Sequence, residues 1–149
     1  MKPDLDVQYA STCRNLPGVS EIGRWAEVAL EGMNSDVGLS VRIVDEPESA
    51  DLNRQYRNKS GPTNVLSFPF EDPPGVDSGI LGDLIICAPV VYKEAREQNK
   101  SERAHWAHMV VHGIMHLRGY DHINEEDARQ MESTESTILS RLGFDDPYD

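Results

Sequence analysis

All five histidines of this 149-residue chain lie between positions 105 and 122, as His105, His108, His112, His116 and His122. On a helix, at roughly 100° per residue, His105, His112 and His116 project within about 40° of one another, with His108 one step aside. The residues between them are largely apolar (Trp106, Met109, Val110, Val111, Ile114, Met115), so this stripe loads a buried helix with ring nitrogens that each need a partner. His112 and His116 stand at i and i+4, the spacing at which imidazoles on adjacent turns can share one metal ion. Gly119 follows three residues later and His122 three after that. A helix broken at the glycine can turn back and bring His122 to the same ion. Three imidazoles with an open fourth position describe a catalytic zinc site, because a structural site would fill all four. Zinc is the first choice for such ligands, and nickel, copper and iron accept the same donors.

The full pattern, H-x-x-x-H-x-x-G-x-x-H, has the ligand spacing of metzincins but departs from it at one position. In H-E-x-x-H the glutamate beside the first ligand is the general base of peptide hydrolysis. Here that position is Gly113. A metal would still acidify a water and polarise a substrate oxygen. The departure therefore turns the reading away from peptidases, towards chemistry that draws its base from elsewhere or needs less of one.

The histidine helix must be held by other elements, and the chain supplies them in alternation. Leu5 to Ala10 predicts a first strand, and Ser20 to Met33 a helix with Ser20 as N-cap and Ile22, Trp25, Ala26, Ala29 and Leu30 at helical spacing. Gly38 to Asp45 alternates Leu39, Val41 and Ile43 as a half-buried strand, and Pro47 suits the first turn of a helix running to about Arg57. Strands follow at Asn64–Phe70 and Ile80–Cys87, the latter interrupted by Gly82-Asp83, with the Pro73-Pro74-Gly75 loop between them. A helix after Pro89 reaches about Gln98, and Ser101 can cap the histidine helix, which ends near Leu117. Asn124, then Glu125, Glu126 and Asp127, open a last helix with Ala128, Met131, Ile138 and Leu142 on its apolar face and Gly143 as its stop. Some links between strands are short, so the expectation is a single small α+β domain over residues 1–149, with a mixed sheet of about four strands packed with helices and the zinc site at a helix end. Trp25 and Trp106 fall at core spacing. Cys13 and Cys87 are far apart and read as thiols of a reducing compartment.

The segment His112-Gly-Ile-Met-His116-Leu-Arg-Gly119-Tyr-Asp-His122 resembles the signature of the YbeY family of bacterial endoribonucleases and rRNA maturation factors. Leu52 to Arg57, Pro62 to Pro69, Leu81 to Ile86 and the helix from Met131 to Gly143 resemble further blocks of that family, so the likeness spans roughly residues 40–145. One variation is Asn64, where many members carry aspartate. The resemblance implies a zinc ion held by His112, His116 and His122, with Arg57 as the functional arginine and Arg57, His112 and His116 as the catalytic set. It implies cleavage of single-stranded RNA in maturation of the 3′ end of 16S rRNA and in ribosome quality control. The implied partners are rRNA, the small ribosomal subunit and its assembly proteins, with no DNA. Two other classes stay open: a metal-dependent hydrolase or peptidase of another substrate, and a ribosome-assembly binding factor whose metal is mainly structural. Asp121, beside a ligand, could orient an imidazole or simply cap the helix end, and His108 reads as a core histidine more readily than as a proton carrier.

Charge qualifies this picture. The chain has 14 Lys and Arg against 26 Asp and Glu, a net charge of −12, which at face value opposes a nucleic-acid partner. Residues 124–149 carry −6 of that total, whereas residues 50–62 hold Arg54, Arg57 and Lys59 against Asp51 for a local +2. RNA would meet a small positive cleft on a repelling body, bind weakly in isolation, and draw further affinity from a ribosomal or protein partner. No apolar run approaches the roughly 20 residues that span a membrane, and the N-terminus shows no apolar secretory segment, so the expected location is cytoplasmic.

Overall fold

The computed structural model describes residues 3–33, 37–121 and 123–148. Strand β1 (Asp4–Ala10) leads through helix α1 (Val19–Ala29) to β2 (Gly38–Val44), and α2 (Glu46–Arg57) leads to the antiparallel pair β3 (Val65–Pro69) and β4 (Ile80–Cys87). Helices α3 (Ala88–Glu97), α4 (Glu102–Leu117) and α5 (Glu125–Arg141) complete the chain. The sheet order is β1-β2-β4-β3, with β1 parallel to β2 and β2 parallel to β4. The mixed α+β fold, with four strands and five helices among the described residues, agrees with the reading of the chain. A register shift between Gly38 and Leu39 pairs Leu39 with Gly82, so the Gly82-Asp83 interruption becomes an irregularity inside one continuous strand.

The elements form where local chemistry favours them. Ser101 Oγ accepts a hydrogen bond from Ala104 N at 3.1 Å, and Asn124 Oδ1 accepts one from Asp127 N at 2.9 Å, capping α4 and α5 as their sequences suggest. Helix α1 differs. Its N-cap is Gly18, not Ser20, because the Glu21 carboxylate reaches back to accept from Gly18 N at 3.0 Å, and the chain is already helical at Val19. It also stops at Ala29, short of Met33, where the chain turns through Gly32 at φ 89°.

Helix α4 is the pivot of the molecule. It packs on α1, α3 and α5 and on strands β3 and β4, so nearly its whole circumference is buried. Val110, Ile114 and Met115 join Val41, Ile43, Leu84 and Ile86 of the sheet in the core, together with Trp25 and Trp106. Burying each such large side chain contributes on the order of 1.5–3 kcal/mol. At Gly113 the helix packs tightly on the sheet: a Cβ there would lie 2.7 Å from Leu84 Cδ2 and 3.2 Å from Val65 Cγ2. Cys13 is half-buried, Cys87 is buried, and both are free thiols. Among the described residues no helix is long and apolar enough to cross a membrane.

Candidate functional site

Three of the four histidines of α4 meet two carboxylates. At the start of the helix, His105 Nε2 donates to Glu94 Oε1 of α3 at 2.9 Å, and Glu94 also accepts from Asn64 Nδ2 at 3.1 and 3.2 Å. One turn on, His108 Nε2 donates to Glu135 Oε1 of α5 at 2.9 Å. A further turn on, His112 Nδ1 donates to Glu135 Oε2 at 2.8 Å. Tyr148, from the segment after α5, adds its hydroxyl to Glu135 Oε1 at 2.6 Å. The two buried rings, His105 and His108, thus each gain a carboxylate partner at Nε2, while their buried Nδ1 atoms have no hydrogen-bond partner among the described residues. With Nδ1–H committed to Glu135, a neutral His112 presents its Nε2 lone pair on the other side of the ring. There it faces His116 Nε2 at 3.2 Å, the two rings nearly perpendicular at 88°.

Electrostatics fit this division. Burial works to raise the Glu135 carboxyl, but hydrogen bonds from His108 and His112 outweigh it and hold the group at about 2. Burial lowers the value of His108, and Glu135 restores only part of it, which keeps that ring neutral and able to donate from one nitrogen. Burial pushes the Tyr148 hydroxyl up, and the adjacent carboxylate pushes it further, so it stays a proton donor. Glu94 lies below the ordinary carboxylate range because the bonds from His105 and Asn64 exceed the opposing effect of burial. An aspartate at position 64 would set a second carboxylate against Glu94, so the asparagine suits the neighbour this chain provides.

The histidine pair His112 and His116, both half-buried, forms part of the wall of a cleft of about 540 Å³ that also includes Arg57, Asn64, Ser67 and Asp121. Local structure explains how these elements converge. Helix α4 ends in a Schellman turn: Gly119 N donates to His116 O at 3.0 Å, Tyr120 N donates to Met115 O at 3.0 Å, and Gly119 adopts φ 97°. The chain therefore folds back and sets Tyr120 and Asp121 beside the last turn. Ser67 Oγ donates to Gly113 O at 3.2 Å, fixing β3 against α4 at the level of the histidines. On the opposite rim, α2 closes at Asn58 in the left-handed conformation, and the following segment is tied back to its buried face. Asn53 Nδ2 donates to Gly61 O at 2.9 Å, and Ser49 Oγ exchanges hydrogen bonds with Thr63. These ties place the exposed Arg57 at the cleft, where it makes no ion pair among the described residues.

The structure thus brings together Arg57, His112 and His116. His122 lies outside the described residues. His108 is buried on Glu135 as a core histidine. Glu135, Tyr148 and Glu94 are additions that the sequence reading did not single out. Among the described residues, His108, His112 and Glu135 offer donor atoms within 4.8 Å of one another, a group that could hold a metal ion.

Fold and site together define a class: a small α+β protein with one central helix, whose imidazoles, backed by a buried carboxylate, open into an arginine-bearing cleft. A model of the family endoribonuclease YbeY matches residues 16–143, and the chain belongs to that family. It is accordingly of the nuclease class, a hydrolase. The structure is similar to the solution structure of TM1509 from Thermotoga maritima, with a TM-score of 0.60 and 25% identity over 96% of this chain and 95% of that one.

Proposed function

We propose that this protein is a zinc-dependent endoribonuclease that cuts single-stranded RNA, acting in 3′-end maturation of 16S rRNA and in ribosome quality control in the cytoplasm. The observation that carries the reading is the His112 Nε2–His116 Nε2 separation of 3.2 Å in the cleft that Arg57 lines. Two nitrogens on one tetrahedral zinc, at bond lengths of roughly 2.0–2.1 Å, lie about 3.3 Å apart. The donor set therefore fits the ion, with His112 and His116 as ligands and His122 as the third that the motif supplies. When bound, zinc supplies Lewis acidity towards a phosphodiester oxygen and activation of water.

The remaining chemistry belongs to the chain itself. Arg57 presents a planar guanidinium that can take two phosphate oxygens at once and balance the charge that accumulates in the transition state. Its freedom from acidic partners among the described residues leaves its donors available for that contact. Glu135 keeps the Nδ1 proton of His112 and so fixes which nitrogen faces the cleft. Gly113 speaks against a peptidase for a second reason beyond its lack of a carboxylate: a side chain there would run into Leu84 and Val65. The acidic surface implies weak capture of isolated RNA, with the ribosomal small subunit or an assembly protein providing further affinity.

The test is incubation of the purified protein with single-stranded RNA, duplex RNA and casein, each with and without chelator. Cutting of single-stranded RNA alone, abolished by chelator, is the expected outcome. Cleavage of casein, or RNA cleavage indifferent to chelator, contradicts the reading.

A further inference from the structure

Glu135 is fully buried on α5, yet both its oxygens face donors from outside that helix. Oε2 takes His112 Nδ1, while Oε1 takes His108 Nε2 and the Tyr148 hydroxyl. A buried carboxylate is costly unless it is paired, and three donors compensate this one. The tail that brings Tyr148 is itself fixed: Asp146 Oδ1 accepts from Tyr148 N at 2.9 Å and from Ser136 Oγ at 2.9 Å, and Lys100 Nζ donates to Pro147 O at 2.9 Å. The tyrosine ring also packs edge-on against His108 at 5.4 Å. The result is a rigid support behind one ring of the cleft pair.

We infer that Glu135, anchored by Tyr148, is the positioning residue of the metal centre: it fixes the tautomer and ring plane of His112 and thereby sets the affinity of the His112–His116 pair for its ion. This rests on the zinc reading proposed above. A carboxylate that accepts from the far nitrogen of a ligating imidazole also makes the near nitrogen a better electron donor, and its loss typically costs 10- to 100-fold in metal affinity. Glu94 is the internal contrast. It binds His105 on the same helix through the same kind of bond, but His105 does not line the cleft. A purely structural carboxylate would behave like Glu94, and a positioning one would not.

The experiment is zinc competition between the metal-free protein and a chromophoric chelator, with the absorption bands of the cobalt-substituted protein as a second readout. Glu135→Gln is expected to bind zinc about 10- to 100-fold more weakly, with altered cobalt bands. Tyr148→Phe, which keeps the ring and its packing, is expected to lose roughly two- to fivefold, the worth of one hydrogen bond at second remove. Glu94→Gln should stay within about twofold of wild type even where it lowers the resistance to denaturant. Zinc affinity of Glu135→Gln within twofold of wild type would overturn the inference, as would equal losses in Glu135→Gln and Glu94→Gln. Loss of zinc in Glu135→Gln with full retention in His116→Ala would make Glu135 a ligand and overturn it too. If wild type itself takes no zinc from the chelator, the metal reading of the cleft fails first.

Discussion

The two halves of helix α4 carry the same side chain on the same stripe and put it to different use. His105 and His108 are buried, each with one nitrogen bonded to a carboxylate. His112 and His116 are half-buried, and their Nε2 atoms face each other beside the cleft. Residue type and helical phase do not distinguish the halves. What does is the cover: α3, α5 and the tail close over the first two turns, whereas the Schellman turn at Gly119 and the rim built by α2 and β3 leave the last turn open. Imidazole in the closed half is a hydrogen-bonding core residue, and in the open half it lines the cleft.

Substitutions can break or sharpen this contrast. His116→Ala, in the open half, should reduce RNA cleavage by about 10³-fold or more, beyond what loss of a supporting partner costs, while thermal unfolding stays near wild type. Arg57→Ala should lower kcat/KM by about 10²–10³-fold with zinc content unchanged, as expected for a group that acts on the charge of the transition state. Gly113→Ala tests the seam between the halves and the sheet. Its methyl would meet Leu84 and Val65, and denaturant unfolding should report a loss of about 1–3 kcal/mol.

The smallest functional effect belongs to the closed half. His105→Ala should cost about 1–3 kcal/mol in stability while cleavage under folding conditions stays within about twofold. This variant also carries a pH signature. Glu94 has a folded value below its unfolded one, so its stabilisation is complete above the ordinary carboxylate range and disappears as pH falls through the lower, folded value. Removing His105 removes part of that depression. The variant's deficit should therefore be largest near neutrality and shrink on acidification, as measured by unfolding curves across pH.

Much of this was legible from residue order. Among the described residues the elements follow apolar periodicity, α4 and α5 also their capping residues, and the i, i+4 pair His112–His116 with Gly119 pointed to the cleft. The order β1-β2-β4-β3 was not legible, because short links between strands do not determine which edges pair. Glu135 was hidden among the acids of the last helix, although it stands four residues after Met131 and three before Ile138, on the face those apolar residues bury. A carboxylate in an apolar phase is the trace such a residue leaves. The Asn64–Glu94–His105 chain left none, since it joins three elements that only the folded topology brings together. The start of α1 went astray for a local reason: the carboxylate of Glu21 serves Gly18, and a side-chain cap at Ser20 is not needed.

The central claim is that the open half of α4 works through a metal ion and the closed half does not. The most direct measurement is cleavage of a single-stranded RNA by chelated protein during titration with zinc, for wild type, His105→Ala and His116→Ala in parallel. The account predicts that one equivalent of zinc restores wild type and His105→Ala, while His116→Ala stays inactive throughout. Full activity in the chelated wild type, or recovery of His116→Ala alongside the others, would contradict it.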